Sequence, residues 1–97
     1  MLHMVNKSPL GSSTLACCLR VAAKGDPILL LEEGVYAARP GTSSQSLLER
    51  ALADHPVYAL GPDLAARAIG QVLEGVRVID YEGFVDIVEQ HGVVPWL

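Results

Sequence analysis

The sequence predicts an α/β fold with a mainly parallel sheet and helices on both of its faces. The strongest observation is an unbroken apolar run at residues 28–31, bounded by turn residues at 26–27 and 32–34. A short apolar run between turn signals is typical of a strand that is buried on both faces, as in parallel sheets. Further short apolar runs alternate with helical patterns along the chain, and this alternation predicts the α/β class.

The first predicted strand covers residues 2–5, and a helix follows it. Ser12, Ser13 and Thr14 are candidate N-caps of this helix, and Gly25 is expected to end it. The apolar side chains of the helix recur at the i, i+3, i+4, i+7 and i+8 spacing of an amphipathic helix. These positions are Leu15, Cys18, Leu19, Ala22 and Ala23.

After the central strand, the pattern predicts a short helix at residues 35–38 and then a regular alternation of helices and strands. Asp80 is expected to cap the last helix. The apolar tail at residues 93–97 is expected to add an edge strand or to dock on a partner. The other predicted elements are a helix at 43–54, a strand at 57–60, a helix from 61 to residue 69, a strand at 76–79 and a last helix that Gly92 ends.

Length and composition predict a single domain with enough exposed apolar surface to form an oligomer. A chain of 97 residues corresponds to a single domain, residues 1–97. Its hydrophobic fraction is 51% and its mean hydropathy is +0.33. A core of this size cannot enclose so much apolar surface, so we expect an exposed apolar patch and an oligomer.

Charge and hydropathy argue against nucleic-acid and membrane partners. The net charge is −4 and the seven lysines and arginines are scattered, which is unfavourable for direct binding of nucleic acid. No apolar run approaches the roughly 20 residues that span a bilayer. The first residues lack the features of a signal peptide, and a cytoplasmic location is therefore expected.

The chain contains two cysteines, Cys17 and Cys18, and they are adjacent. Neighbouring Cα atoms lie about 3.8 Å apart, which is below the usual range for a disulfide. There is no CxxC and no cluster of histidine and cysteine, so no metal site is expected. The segment GPDLAARAIG lacks the spacing of a phosphate-binding glycine loop, and no cofactor is expected.

Five blocks in this order resemble a known family: LHMVNKSP, LLLEEGVYAA, YALGPDLAAR, VIDYEGFVDIVEQH and a C-terminal tryptophan. Together they resemble the DsrH/TusB family of small sulfur-relay subunits over nearly the whole chain. The resemblance implies a three-layer α/β/α sandwich of the DsrE/DsrF/DsrH-like type. One departure is Ala68, where the family often has glycine; alanine would be well tolerated in the helix predicted there.

The resemblance implies a subunit of a cytoplasmic sulfur-relay complex rather than an enzyme that acts alone. Such subunits work in a hetero-hexamer, DsrEFH or TusBCD, with DsrE/TusD-like and DsrF/TusC-like partners. TusBCD passes persulfide sulfur toward 2-thiolation of the tRNA wobble uridine, and DsrEFH takes part in sulfur oxidation. The principal carrier cysteine lies on the DsrE/TusD subunit, and sulfur moves on to a DsrC/TusE-like protein. Expressed alone, such a subunit can self-associate through surfaces meant for partners.

The two cysteines are the candidate site. Some DsrH-type members have a cysteine three residues after a leucine on the first helix, and Leu15 places that position at Cys18. The resemblance therefore implies Cys18 as sulfur carrier, whereas spacing alone favours a small side chain packed on the buried face. A helical wheel places Cys17 nearer Arg20 and Lys24. Cations favour a thiolate, so Cys17 is the second candidate.

Two further hypotheses stay open. The chain could be a purely structural interaction subunit in which both cysteines are buried and inert. It could also be a homo-oligomeric binder of a small ligand at the carboxyl end of the central strand, near Glu33 and Tyr36, where sites occur in open α/β sheets. Asp63 and Arg67 are spaced to form a local ion pair on one helix.

Overall fold

The computed structural model describes residues 1–96 and confirms the α/β class. Five strands form one sheet in the order β4-β3-β2-β1-β5, and the four neighbouring pairs run parallel. The elements in chain order are β1 Leu2–Val5, α1 Thr14–Val21, β2 Ile28–Leu30, a 3₁₀ helix Glu32–Ala38, α2 Gln45–Asp54, β3 Val57–Leu60, α3 Gly61–Ala66, β4 Arg77–Ile79, α4 Tyr81–Gln90 and β5 Val93–Trp96.

The strand order determines which face of the sheet each helix covers. The chain steps from β1 to β4 in one direction, and right-handed crossovers place α1, α2 and α3 on one face, the first face. The return from β4 to β5 runs the other way and places α4 on the opposite, second face. The core of the first face contains Leu15, Cys18, Leu48, Ala51 and Leu64 from these three helices. On the second face, by contrast, every residue of α4 is at least partly exposed.

The central strand is buried on both faces, as its apolar run predicts. Ile28, Leu29 and Leu30 have no exposed surface, and they alternate between the two sides of β2. The apolar tail forms the edge strand β5, which pairs with β1 from Leu2 to Val5. Leu97, the last residue of the predicted tail, lies outside the described residues.

The first helix ends earlier than its glycine predicts. Helix α1 stops at Val21, and Ala22 already has an extended backbone. The Asp26 carboxylate accepts a hydrogen bond from the Ala23 N–H at 3.0 Å, which turns the chain before the predicted end. Gly25 adopts a φ of +92° in that turn, a conformation that favours glycine. The glycine is therefore needed for the turn rather than for the helix end.

Ala68 lies in a helix cap and not in the predicted helix. Helix α3 ends at Ala66, and Ala68 has a φ of +55°. The N–H of Ile69 donates to the Leu64 carbonyl at 2.9 Å and the N–H of Ala68 to the Ala65 carbonyl at 3.1 Å. This is the Schellman motif, in which glycine normally occupies the position of Ala68 because its backbone is left-handed. The expectation that alanine is well placed here was therefore wrong.

Replacing Ala68 with glycine is expected to stabilise the protein. The left-handed conformation costs an alanine about 1–2 kcal/mol, and the greater freedom of glycine in the unfolded chain offsets about half of that gain. The free energy of unfolding in urea should therefore rise by about 0.5–1 kcal/mol. The control is Ala65→Gly, at an exposed helical position, which should lose about 1 kcal/mol. Equal losses in both variants would contradict the prediction.

Candidate functional site

The two cysteines are the fourth and fifth of the eight residues of α1, which begins after the carboxyl end of β1. The Cys17 N–H donates to the carbonyl of Ser13, the residue that precedes the helix, at 2.9 Å. Consecutive helical residues point about 100° apart. One of the two thiols therefore points outward and the other points inward.

Cys18 is the inward thiol. It has no exposed surface and belongs to the core of the first face. Burial, with a smaller contribution from the negative charge of Asp26, raises the pKa of the Cys18 thiol to about 11. A thiol in these surroundings stays protonated at neutral pH, and the thiolate is the form that acts as a nucleophile.

Cys17 is the outward thiol and has polar partners. Arg20 Nη2 donates to the Cys17 sulfur at 3.3 Å, and the Ser13 hydroxyl oxygen lies 3.9 Å from the same sulfur. The hydrogen bond from Arg20, followed by that with Ser13, lowers the pKa of the Cys17 thiol. The contact with Arg20 is the one that the helical wheel indicates. Helix α1 ends before Lys24, the other cation considered.

The acidic residues after β2 connect the end of that strand to α3. Glu32 has a φ of +50°, and its N–H donates to the Asp63 carboxylate at 2.6 Å. Arg67 donates to the Glu33 carboxylate at 3.0 and 3.2 Å and to the Asp63 carbonyl at 3.1 Å. Arg67 thus pairs with Glu33, in place of the predicted side-chain pair with Asp63, because Asp63 is turned toward the backbone of the 3₁₀ helix.

The two side chains of the hypothetical ligand cleft therefore have partners within the chain. Glu33 is paired with Arg67. The guanidinium of Arg39 lies 5.2 Å from the centre of the Tyr36 ring, within the range of a cation–π contact.

His3 forms a network that the sequence alone does not reveal. Its ring is buried, and Nε2 lies 2.9 Å from an Asp26 carboxylate oxygen. The indole N–H of Trp96 donates to Nδ1 of His3 at 3.1 Å. Because an indole only donates, Nδ1 is the acceptor and Nε2 carries the proton that is donated to Asp26. The hydrogen bond from His3 is the largest of the contacts that lower the pKa of Asp26 to about 2.

Neither a metal-binding cluster nor a membrane-spanning helix is found in residues 1–96. Within that part of the chain, no three side chains of histidine, cysteine, aspartate or glutamate are grouped so that they could hold a metal ion. No helix in the same range is long and apolar enough to cross a membrane.

The fold and the site define a class of small, parallel α/β proteins with an accessible thiol in the middle of the first helix. The family model described as "DsrH like protein" matches residues 7–94, and the chain belongs to the DsrH family. The resemblance that the sequence blocks indicate is thereby confirmed.

Two relatives illustrate how far the similarity extends. Protein TusB from Shigella flexneri is 40% identical over 92 residues, which cover 94% of each chain. Protein TusB from Escherichia coli O157:H7 is 39% identical over 98 residues, which cover 99% of this chain and 100% of the relative. The similarity thus extends from one end of the chain to the other.

Solved structures confirm the architecture. Protein Tm0979 from Thermotoga maritima is 26% identical with a TM-score of 0.61, and the match covers 94% of both chains. Protein MTH1491 from Methanobacterium thermoautotrophicum has a TM-score of 0.64 at 16% identity, with 97% of this chain and 93% of that chain covered. At the second identity the likeness shows the fold alone.

Proposed function

We propose that this protein is a subunit of a cytoplasmic sulfur-relay complex and that it handles persulfide sulfur. The observation that supports the proposal is an accessible thiol in the middle of α1, with Arg20 Nη2 at 3.3 Å from the Cys17 sulfur, in a member of the DsrH family. The relatives are TusB proteins, which favours tRNA wobble-uridine 2-thiolation over sulfur oxidation as the pathway served.

We propose Cys17 as the thiol that receives sulfur. The Cys17 thiolate attacks the outer sulfur of a donor persulfide, the donor S–S bond breaks, and the donor leaves as a thiolate. Cys17 then carries the sulfur and the proton as a persulfide, so the exchange needs no external oxidant or reductant. The Arg20 guanidinium would stabilise both the attacking thiolate and the ionised persulfide.

Cys18, which the resemblance implies as the carrier, is the competing candidate. Its sulfur has no exposed surface, and its raised pKa opposes the thiolate. Sulfur could reach Cys18 only if α1 moved away from the sheet. In the present conformation its chemistry is that of a small apolar side chain that packs α1 against the sheet.

The proposed partners are DsrE/TusD-like and DsrF/TusC-like subunits in a hetero-hexamer, with a DsrC/TusE-like protein as sulfur acceptor. In such a complex this chain would not be catalytic by itself. The alternative function is a purely structural subunit that completes the assembly. The burial of Cys18 and the exposed apolar residues described below favour that alternative if Cys17 proves inert.

Incubation with a persulfide donor followed by intact-mass spectrometry tests the proposal. The wild type, Cys17→Ser, Cys18→Ser and Cys18→Ala are compared, alone and with the DsrE/TusD-like partner. A gain of one sulfur mass is expected in the wild type and in both Cys18 variants, and is expected to be absent in Cys17→Ser. Cys18→Ala is the control for the buried hydroxyl that serine would introduce.

Two other results would contradict parts of the proposal. A gain that is lost only in the Cys18 variants would assign the carrier to Cys18. Sulfur on the partner but none on this chain would leave the structural subunit as the function.

A further inference from the structure

We propose that the outer face of α4 docks a non-identical protein whose contact surface combines apolar side chains with lysine or arginine. The outer face of α4 is defined by Tyr81, Glu82, Val85 and Asp86. The inference rests on the relay-complex function proposed above, and it specifies where a partner binds and what chemistry that partner presents.

Large apolar side chains are exposed on this face one helical turn apart. Tyr81 is 59% exposed and Val85 is 49% exposed. Residues at i and i+4 are neighbours on a helix surface. Together with Glu82 and Asp86 they line an open cavity of about 440 Å³. Exposed apolar side chains bordered by polar ones are typical of a protein-binding surface.

The position of α4 in the fold explains why the apolar side chains of its outer face stay exposed. Three α-helices and the 3₁₀ helix contribute to the core of the first face of the sheet, whereas α4 is the helix on the second face within residues 1–96. Even the inward side chains Phe84, Ile87 and Val88 are only half-buried. A partner that covers α4 would complete the burial of this layer, as the high mean hydropathy of the chain leads one to expect.

The charge of α4 defines the chemistry of the occupant. Helix α4 and its cap contain four acidic residues and no lysine or arginine, the acids being Asp80, Glu82, Asp86 and Glu89. Arg77 on the adjacent strand lies 5.7 Å from the centre of the Tyr58 ring and donates to the Tyr58 hydroxyl at 3.4 Å. The negative field of α4 therefore favours a partner with basic residues around its apolar contact.

The same charge argues against a second copy of this chain as the occupant. In a two-fold dimer, each residue of the patch faces the same patch on the other subunit. Glu82 and Asp86 of one copy would then lie against the same acids of the other, and like charges opposed across an interface weaken it. The occupant is therefore a different protein.

The experiment measures binding of this chain to the DsrE/TusD-like and DsrF/TusC-like subunits from the same genome, produced together as a pair. The Kd is measured by biolayer interferometry at about 50 mM and about 500 mM NaCl, because salt screens charges across a rim. The test variant is Glu82→Lys with Asp86→Lys. The control variant is Glu49→Lys with Glu74→Lys, which makes the same change of charge at two exposed acids outside α4.

The test variant is expected to bind the pair at least about tenfold more weakly than the wild type at low salt. The control variant should bind like the wild type, and the wild-type Kd should rise with salt more steeply than that of the test variant. Tyr81→Ser with Val85→Ser should weaken binding at both salt concentrations, because its loss is apolar. Thermal unfolding of each variant shows whether the fold is retained.

The possible failures are distinguishable. A complex that tolerates the Glu82 and Asp86 reversal without change would overturn the docking surface and leave the relay function intact. Failure of the wild type to bind the pair at all would overturn both. Self-association of the wild type that the reversal abolishes would make a second copy the occupant and overturn the proposal of a non-identical partner.

Discussion

Replacing Gly34 with alanine is expected to destabilise the protein by about 3 kcal/mol or more, at the upper end of what an overpacked site costs. Gly34 lies in the 3₁₀ helix directly after β2. A Cβ at this position would lie 2.9 Å from the carbonyl carbon of Val5 and closer still to its oxygen. Atoms at such distances cannot coexist, so either the 3₁₀ helix or β1 must move.

Neither element can move without losing hydrogen bonds. The Val5 carbonyl accepts the N–H of Leu31 at 3.1 Å, and this bond holds the exit of β2 against β1. Strand β1 is paired on both sides, with β2 and β5. The clash is with main-chain atoms, and no rotamer change relieves it. The expected loss is therefore that of a distorted sheet rather than that of a displaced side chain.

Urea unfolding of Gly34→Ala and of a matched Gly11→Ala variant tests this expectation. A Cβ on Gly11 would meet no atom within 4 Å. Gly11→Ala should leave the free energy of unfolding unchanged or raise it by up to about 1 kcal/mol. If Gly34→Ala fails to fold while Gly11→Ala folds, the expectation is met. A loss below about 1 kcal/mol in Gly34→Ala would contradict the close approach of the 3₁₀ helix to β1.

The order and type of the elements were predictable because they depend on local signals. The apolar run of β2 is buried as expected. Asp80 caps α4 as expected, since its carboxylate accepts the Gly83 N–H at 2.8 Å. The ends of α1 and α3 were not predictable in the same way. The side chain of Asp26 turns the chain at Ala23, and the left-handed Ala68 closes α3, neither of which the apolar pattern records.

In the candidate site, too, the local contacts were predictable from the sequence and the long-range contacts were not. The contact of Cys17 with Arg20 was predictable from a helical wheel, because the two residues lie within one turn of α1. The pairing of Glu33 with Arg67 joins residues 34 positions apart. Such a contact depends on which strands are neighbours, and one sequence does not reveal the strand order. Spacing on a helix therefore suggested the wrong partner for Arg67.

The network around Asp26 is the longest-range contact of this kind. The hydrogen bond between His3 and Asp26 joins residues 23 positions apart in the sequence, and the one between Trp96 and His3 joins residues 93 positions apart. The three side chains connect the turn before β2 to β1 and to the edge strand β5. The sequence indicates only that a lone histidine in an apolar strand needs a partner, and the sheet order supplies two.

Removing the Asp26 side chain is expected to cost about 2–3 kcal/mol at neutral pH. The Nε2–H of His3 would lose its acceptor in a buried position, and hydrogen bonds to charged groups are worth about 1.5–3 kcal/mol. The Ala23 N–H would also lose its partner, so the turn after α1 would loosen. Urea unfolding of Asp26→Ala, followed by the fluorescence of Trp96, the single tryptophan of the chain, measures the loss.

The pH dependence of this loss follows from the direction of the pKa shift. The hydrogen bond from His3, together with those from Ala23 and the amino group of Met1, lowers the pKa of Asp26 from an ordinary value of 3.8 to about 2. A carboxyl whose pKa is lower in the folded state binds fewer protons there than in the unfolded chain. Its stabilising contribution is therefore complete above the unfolded value and is lost as the pH falls toward 2.

The difference in stability between the wild type and Asp26→Ala should accordingly be largest above pH 4 and should shrink as the pH approaches 2. Glu74→Ala, which removes an exposed carboxylate, is the control and should change the stability by less than about 0.5 kcal/mol at each pH. A difference for Asp26→Ala that stays constant over the same range would mean that the neutral side chain contributes as much as the carboxylate. In that case the ionised Asp26 would not be what holds His3, and through it Trp96, in place.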